Sequence, residues 1–503
     1  MVVAAPAERV RAAVATAGQR LDGWLLGLVF VAGLWSVVFS RLVLQRHARF
    51  RTIDFDLGIH DQSIWLLSRF SDLCTVRGLP VFGHHASFGY LAFVPFYWLG
   101  AGPDFLNVVQ VLAVAAGVVP LYQLARHRGL PALAGVLIGL AWLAQPPLQW
   151  FLWETFHPEV LAIPLLLWAY LCAERDQTRW YWVLVIAALA QKEDIAFAVA
   201  MIGLIWVLRR RTRLGAMTVG VAALWFVVFG MWMVPTAAGG GTVYGLLYGD
   251  LGDTPSEVAK TAVTDPTEIW RRLDTNGAGD YTNDILTPTG LVPLAAPEVL
   301  AIGAPQAILN LLTTAEFTWD LRYHYQAMPM LGLGLGLVEG VARLARLSRR
   351  PDGRAVLGTS LAGLVLVFGL WGTRSSGPSP WGEQYRTGVW PLAPTLDREV
   401  REQALRLIGP SDGVSADFFM TPHLTHRRIA YTFPNPWFNK NYGLSFATKA
   451  DPADVDWIVL DLSLVAFPGE RQIYDQLIAT GEFEVRLQAG TVVVAQRMRP
   501  PPS

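Results

Sequence analysis

Long apolar runs separated by short charged turns fill the chain as far as residue 372. The first, Leu21 to Leu44, is too long for a signal-peptide core and has no small-residue cleavage site behind it, so it predicts a retained transmembrane helix. Further spans are predicted at about 105–125, 130–149, 158–173, 214–234, 325–347 and 355–372. The apolar stretch 181–208 is interrupted by Gln191-Lys192-Glu193-Asp194 and has arginines beyond both ends. That pattern favours a hairpin of two short helices whose polar tip lies in a protein-lined cavity. Residues 288–312, punctuated by proline, predict a hairpin or re-entrant pair. Phe88 to Leu99 rises only ~18 Å at ~1.5 Å per residue, short of ~30 Å of hydrocarbon, and predicts an interfacial or re-entrant helix.

Two polar segments, 45–103 and 235–287, read as outer loops. Beyond residue 372 the pattern changes: LDREVREQALRLIG and IYDQLIATG read as helices, and DWIVLDLSLV and TVVVAQRM as strands. The expected fold is an all-α polytopic membrane domain, 1–372, with about 9–11 transmembrane helices, followed by a small α/β domain, 373–503. Arg9, Arg11 and Arg20 ahead of the first span place the N-terminus in the cytoplasm. The crossing count then makes the tail of this multi-pass cytoplasmic-membrane protein extracytoplasmic. Arg41, Arg46, Arg49 and Arg51 beyond that span are the argument for the opposite orientation.

Composition agrees with a membrane protein: 53% of residues are hydrophobic and 16% charged, against roughly 25% charged in soluble proteins. Forty basic residues balance forty acidic ones, so the excess positive charge of a nucleic-acid binder is missing. Cys74 and Cys172, the only cysteines, fall on opposite sides of the predicted bilayer and exclude a disulfide framework or thiolate cluster. Nucleophile elbows, phosphate-binding glycine loops and zinc-protease helices do not occur in the sequence.

The candidate chemistry clusters on one side. In the predicted topology His47, His60, His84, His85, His157, His324, His423 and His426 are outside and only His127 inside. Intramembrane or cavity polar groups of this kind point to a site. Asp54 and Asp56 precede a predicted surface helix from Leu57 whose Ile64, Leu67 and Phe70 would face the lipid interface. Either is a general base, a divalent-cation ligand or the helix N-cap. Glu154 and His157, three residues apart, share a helix face and form with Glu159 an acid/base or metal-ligand set, or else a cap beside anchoring tryptophans. Lys192, one of four lysines, is held at membrane depth next to Glu193 and Asp194. It binds a lipid phosphate, or it neutralises its neighbours. Arg322 and His324 offer further cations for a phosphate, and His84 and His85 shape or metallate the cavity.

FDLGIHDQ, the His-His pair before a short amphipathic segment, FHPE, KED, HYQAMP and SADFFMTPHLTHRRIAYTFPNP, in this order, resemble a family of predicted polytopic membrane proteins known as domain of unknown function two-zero-seven-nine. The resemblance runs from about residue 50 to about 495. That family is in turn similar to GT-C glycosyltransferases such as protein O-mannosyltransferases and the aminoarabinose transferase of lipid A. The resemblance implies an inverting transfer from a polyprenyl-phosphate sugar to a cell-envelope glycan, lipid or protein acceptor on the outer face. Asp56 is then the general base, ahead of Asp54. Glu154, His157 and Glu159 stand where those enzymes carry a second acidic residue, and Lys192 corresponds to a lysine at the outer end of their fifth span. The rival expectation is a transporter or lipid-binding protein with discontinuous helices around a midplane site and no transferase activity. No cofactor is required by either reading, although a divalent cation is compatible with both.

Overall fold

The computed structural model describes residues 22–240, 245–252, 254–391, 396–438, 440–441, 444–445, 450–465 and 467–498. Arg9, Arg11 and Arg20, on which the orientation argument partly rested, lie outside them. Among the described residues five helices are long and apolar enough to cross a membrane: Gly23–Ala48, Pro103–His127, Thr212–Ala237, His324–Ala345 and Pro351–Ser376. A sixth is formed if Ala132–Leu143 and Pro146–Glu154, bent by 44°, count as one. The bend falls at Gln145-Pro146-Pro147, where two prolines remove backbone donors. Helices Thr178–Leu189, Ile195–Leu208 and Pro297–Leu312 are apolar but shorter, as is the 17-residue Pro158–Glu174.

His324–Ala345 is the axis of the bundle, 89% buried over its apolar window against 17% for Thr212–Ala237 and 28% for Pro351–Ser376. The outer helices expose Phe30, Val37, Leu224, Trp232, Val367 and Trp371, an apolar surface that a bilayer covers. Glycines let the axis pack closely. A Cβ on Gly332 would stand 2.6 Å from the Leu300 carbonyl oxygen, and one on Gly340 would strike that of Val292. The segment 287–312 therefore dips into the bundle. It starts near the Tyr281–Gln326 hydrogen bond, reaches Arg343 at Glu298, and returns to Tyr325 at Asn310. For this stretch the prolines predict a hairpin or re-entrant pair, and it carries the short apolar helix Pro297–Leu312.

The two ends of the bundle differ. One collects arginines on shared carboxylates: Arg128 lies 2.6 Å from both Glu174 and Glu339, and Arg209 2.5 Å from Glu174. The other end carries segment 50–102 and the tail. The predicted outer loop 235–287 is largely helical, with Pro255–Thr264, Pro266–Thr275 and Ala278–Leu286. Its threonine and aspartate content serves caps: Thr254 closes a capping box with Glu257, and Asp265 accepts from the Glu268 amide.

The tail folds as the α/β unit its pattern predicts, with helices at Leu396–Arg406 and Pro468–Ala479. Its sheet has strands β1 (Val414–Ala416), β2 (Ala430–Thr432), β3 (Trp457–Asp461), β4 (Phe483–Ala489) and β5 (Val492–Arg497) in the order β2-β1-β3-β5-β4. β1 pairs in parallel with β2 and β3, and β5 antiparallel with β3 and β4. Alternation along β3 and β5 divides two cores. Ile458, Leu460, Val493 and Ala495 pack with Tyr474 and Leu477 of the tail's own helix. Trp457, Val459, Val492 and Val494 join a core containing Leu57, Ile64, Tyr97 and Leu106. The helix after Asp56, Ile59–Leu67, is therefore not the surface helix expected. Ile64 is fully buried, and only Phe70 beyond its end is exposed. A period of apolar residues cannot tell a face turned to lipid from one turned to another domain.

Candidate functional site

Residues 54–58 form a single widened turn with five-residue spacing. Residues two apart on a helical turn point to nearly opposite sides, and the two aspartates do so. Asp54, fully buried, accepts a hydrogen bond from the Thr432 hydroxyl at the end of β2. Asp56 turns to the bundle, with its Oδ1 3.4 Å from His157 Nε2. Neither caps the following helix through its side chain.

Glu154 and His157 do share one point in space, but not through a helix face. Pro146–Glu154 ends at Glu154, and Pro158–Glu174 begins at Pro158. Between them Thr155 is in the left-handed region, φ 95°, a strained conformation for a β-branched residue. Gln110 holds the break open. Its amide donates to the Phe151 carbonyl at 2.7 Å and to that of Thr155, and its oxygen accepts from the His157 amide at 2.5 Å.

His324 arrives at the start of the axial helix. Its backbone N–H donates to Glu154 and its Nδ1 lies 2.7 Å from Glu154 Oε1, while Nε2 is 3.3 Å from Glu159 Oε1. The imidazoles of His157 and His324 stack with centroids 3.7 Å apart. Lys192, between Thr178–Leu189 and Ile195–Leu208, donates to Glu159 at 2.9 Å and lies 3.5 Å from Asp194. The hairpin tip is thus buried, as its length predicts, and neutralised in part by a residue from another helix. Glu193 turns away to His85 Nδ1 and the Ala86 amide, at 2.9 and 2.8 Å. A continuous line of contacts joins Asp56, His157, His324, Glu159 and Lys192.

This line forms the floor of a cavity of about 1130 Å³ between the bundle end and the tail. Asp54, Asp56, His60, Arg77, His84, His85, His157, Glu159, Lys192, His324 and Asp417 supply its polar lining. Phe317, Phe418, Phe433, Leu460, Leu464 and Ile473 make an apolar wall. The match to the model of the DUF2079 predicted membrane proteins covers residues 46–488, so it takes in floor, wall and tail together. The chain belongs to the DUF2079 family. No curated protein matches it.

Of the site residues expected in this DUF2079 protein, Glu154, Glu193 and Asp194 lie behind the cavity on the lining residues His324, His85 and Lys192, and Arg322 is drawn elsewhere. It is bound to Asp320 at 2.5 Å, with more than half its side chain exposed, and is not on the cavity. Burial pushes the Asp56 carboxyl up, but the hydrogen bond from His157 and the positive potential of His157, His324 and His60 outweigh it and hold Asp56 below the ordinary carboxylate value. Burial also keeps His60 and His84 well below the ordinary imidazole range. Arg77 and His60 were not singled out from sequence. Arg77 comes from a tight turn between Leu73–Cys74 and Leu79–Pro80 and spreads over the Phe55 ring at 5.2 Å. His60 bonds Tyr90 at 2.5 Å. The FDLGIHDQ motif already contained His60, whereas nothing near Arg77 distinguished it from other loop arginines.

Proposed function

We propose that this protein is an integral membrane glycosyltransferase of the GT-C type, using a polyprenyl-phosphate sugar and an acceptor on the extracytoplasmic face. One observation carries the reading: a large cavity with an aromatic and aliphatic wall ends on a floor where a carboxylate and a buried lysine lie within one line of contacts. A lipid phosphate asks for that combination, an apolar surface for the chain and a cation at its end. Asp56 takes the proton of the acceptor hydroxyl as its oxygen attacks the anomeric carbon, and polyprenyl phosphate leaves. Lys192, His324 and Arg77 stabilise the departing phosphate. Arg322 has no part.

The arginine-rich end is assigned to the cytoplasm by the positive-inside tendency, which makes the site end and tail extracytoplasmic. Arginines on the site end speak less against this than their number implies, because they are engaged in packing: Arg46 on the Trp153 carbonyl, Arg49 on that of Pro391, and Arg51 over Phe419. Counting the shorter apolar helices as spans beside the five or six long ones brings the described residues into the expected range of about 9–11.

The test uses purified protein in lipid nanodiscs. Polyprenyl phosphate raises the thermal midpoint of the intact chain and not that of Lys192→Ala. A radiolabelled sugar leaves its polyprenyl phosphate in a membrane-acceptor extract, and Asp56→Asn stops this while remaining folded. A midpoint shift with no sugar release under any donor selects the rival, a lipid-binding or transport protein built on the bent and re-entrant segments.

A further inference from the structure

The cluster under the cavity leaves one position between acceptors. His157 Nδ1 is 3.2 Å from the Thr155 carbonyl oxygen, a group that only accepts, so Nδ1 carries a proton and donates it. The other nitrogen, Nε2, then faces Asp56 Oδ1 at 3.4 Å and Glu154 Oε1 at 3.9 Å. Nε2 there meets two carboxylates, an arrangement made attractive by positive charge at that point, carried either by a proton on Nε2, as in the hydrogen bond to Asp56, or by a metal ion in its place. Three buried carboxylates, Asp56, Glu154 and Glu159, lie around the position, with Lys192 on Glu159 and Arg46 on the Trp153 carbonyl as the neighbouring fixed cations.

We propose that Glu154, His157 and His324 bind a divalent transition metal of the zinc type through Glu154 Oε1, His157 Nε2 and His324 Nδ1. One ligand atom from each of these residues lies within 4.8 Å of the others. Zinc–ligand bonds of about 2.0–2.2 Å put tetrahedral ligand atoms about 3.3 Å apart. The present 2.7 Å from His324 to Glu154 opens slightly, and the 3.9 Å from His157 to Glu154 closes. Two imidazoles and a carboxylate suit zinc, whereas magnesium and calcium prefer oxygen throughout. The second nitrogen of each imidazole has the kind of acceptor that metal-bound histidines use, and the two rings, now stacked with centroids 3.7 Å apart, swing out of the stack for both in-plane lone pairs to reach one ion. Thr155 O takes the proton of His157 Nδ1, and Glu159, itself held by Lys192, takes that of His324 Nε2. The strained Thr155 brings Glu154 and His157 to the same point. The remaining coordination position opens beside Asp56 on the cavity.

The metal is inferred independently of sugar transfer. The full-length protein in nanodiscs is stripped with chelator, equilibrated with zinc, washed, and analysed for metal by atomic emission. A cobalt-loaded sample is read by its absorption spectrum. One zinc per chain, a tetrahedral cobalt spectrum and a raised thermal midpoint with zinc are the expected results. His157→Gln and His324→Asn each lower retained zinc at least tenfold, and His127→Ala, at the opposite end of the bundle, retains it. Substoichiometric zinc in the intact chain overturns the site, as does full retention in both histidine variants. If either variant does not fold, the cobalt spectrum of the intact chain decides, an octahedral all-oxygen spectrum excluding it. Zinc bound without any response to polyprenyl phosphate keeps the metal site and removes the transferase reading, and the reverse outcome does the opposite.

Discussion

Asp54 and Thr432 are hydrogen-bonded across the junction of bundle and tail, so of the two aspartates on the cavity lining the first also ties the tail to the bundle. The two aspartates of one short motif thus do different work, decided by which side of a single turn each occupies.

Asp54→Asn is expected to lower stability by about 1–3 kcal/mol, the range for a buried hydrogen bond to a charged group, and to expose the junction to protease. Asp56→Asn keeps the midpoint and the protease pattern of the intact protein. Thermal unfolding and limited proteolysis of the two variants side by side check this. Equal destabilisation by both defeats the division.

Acid should loosen the tail. His423 is buried against His47 and Phe50, with ring centroids 4.1 Å from each. Burial first, then the positive potential of His47 and Arg401, pushes the His423 imidazole well below its ordinary value. The unfolded chain therefore binds a proton that the folded chain refuses, beginning at about pH 6.5, the ordinary histidine value. Stability contributed by His423 is complete above that pH and falls as pH drops towards its folded value. His423→Phe keeps an aromatic ring there and should flatten the acid limb of a plot of thermal midpoint against pH. An unchanged limb removes His423 as the cause.

Ile195–Leu208, the second arm of the hairpin carrying Lys192, is closed against Thr212–Trp225 by glycines. A Cβ on Gly203 would approach the Gly215 carbonyl oxygen to 2.9 Å, and one on Gly215 would approach that of Gly203 to 2.5 Å. Gly215→Val should part Ile195–Leu208 from Thr212–Trp225, at a cost of about 1–3 kcal/mol for overpacking. Lipid-phosphate response is lost with it because Lys192 shifts. A variant with wild-type midpoint would show that these helices need no close approach.

At the arginine end, Glu339 accepts from Arg128 at 2.6 Å and from the Tyr170 hydroxyl at 3.2 Å. Glu339→Ala strands part of a buried cationic pair and should destabilise by about 3–5 kcal/mol. Glu339→Gln, which keeps the shape, should lose less. Measured midpoints in the reverse order would contradict an electrostatic role.

Much of this fold is legible in the sequence where one period dominates. Gly23–Ala48, the split at Gln191-Lys192-Glu193-Asp194, the proline-marked dip at 288–312 and strands β3 and β5 all follow from local pattern. The short strands β1 and β2 do not, because three residues hold no period and their pairing depends on β3 and on Thr75, whose hydroxyl accepts from the Ala430 amide. The site was half legible. Asp56, His157 and Lys192 stand out as costly polar groups near apolar runs, but Gln110 and Arg77 draw their roles from partners remote in sequence. Glu154 and His157 were paired by their three-residue spacing, and the structure brings them together through a broken helix instead.

The shared core of segment 50–106 and the tail has a temporal consequence. Asp54, Asp61 and Gln62 are made well before Thr432, Thr425 and Arg427, their partners, leave the ribosome. The cavity's roof and the fastening of its floor come from residues made after the whole bundle. A chain that stops short of the tail, however well its helices insert, carries an unfinished pocket, so the competence of each molecule is decided only once the tail has been made.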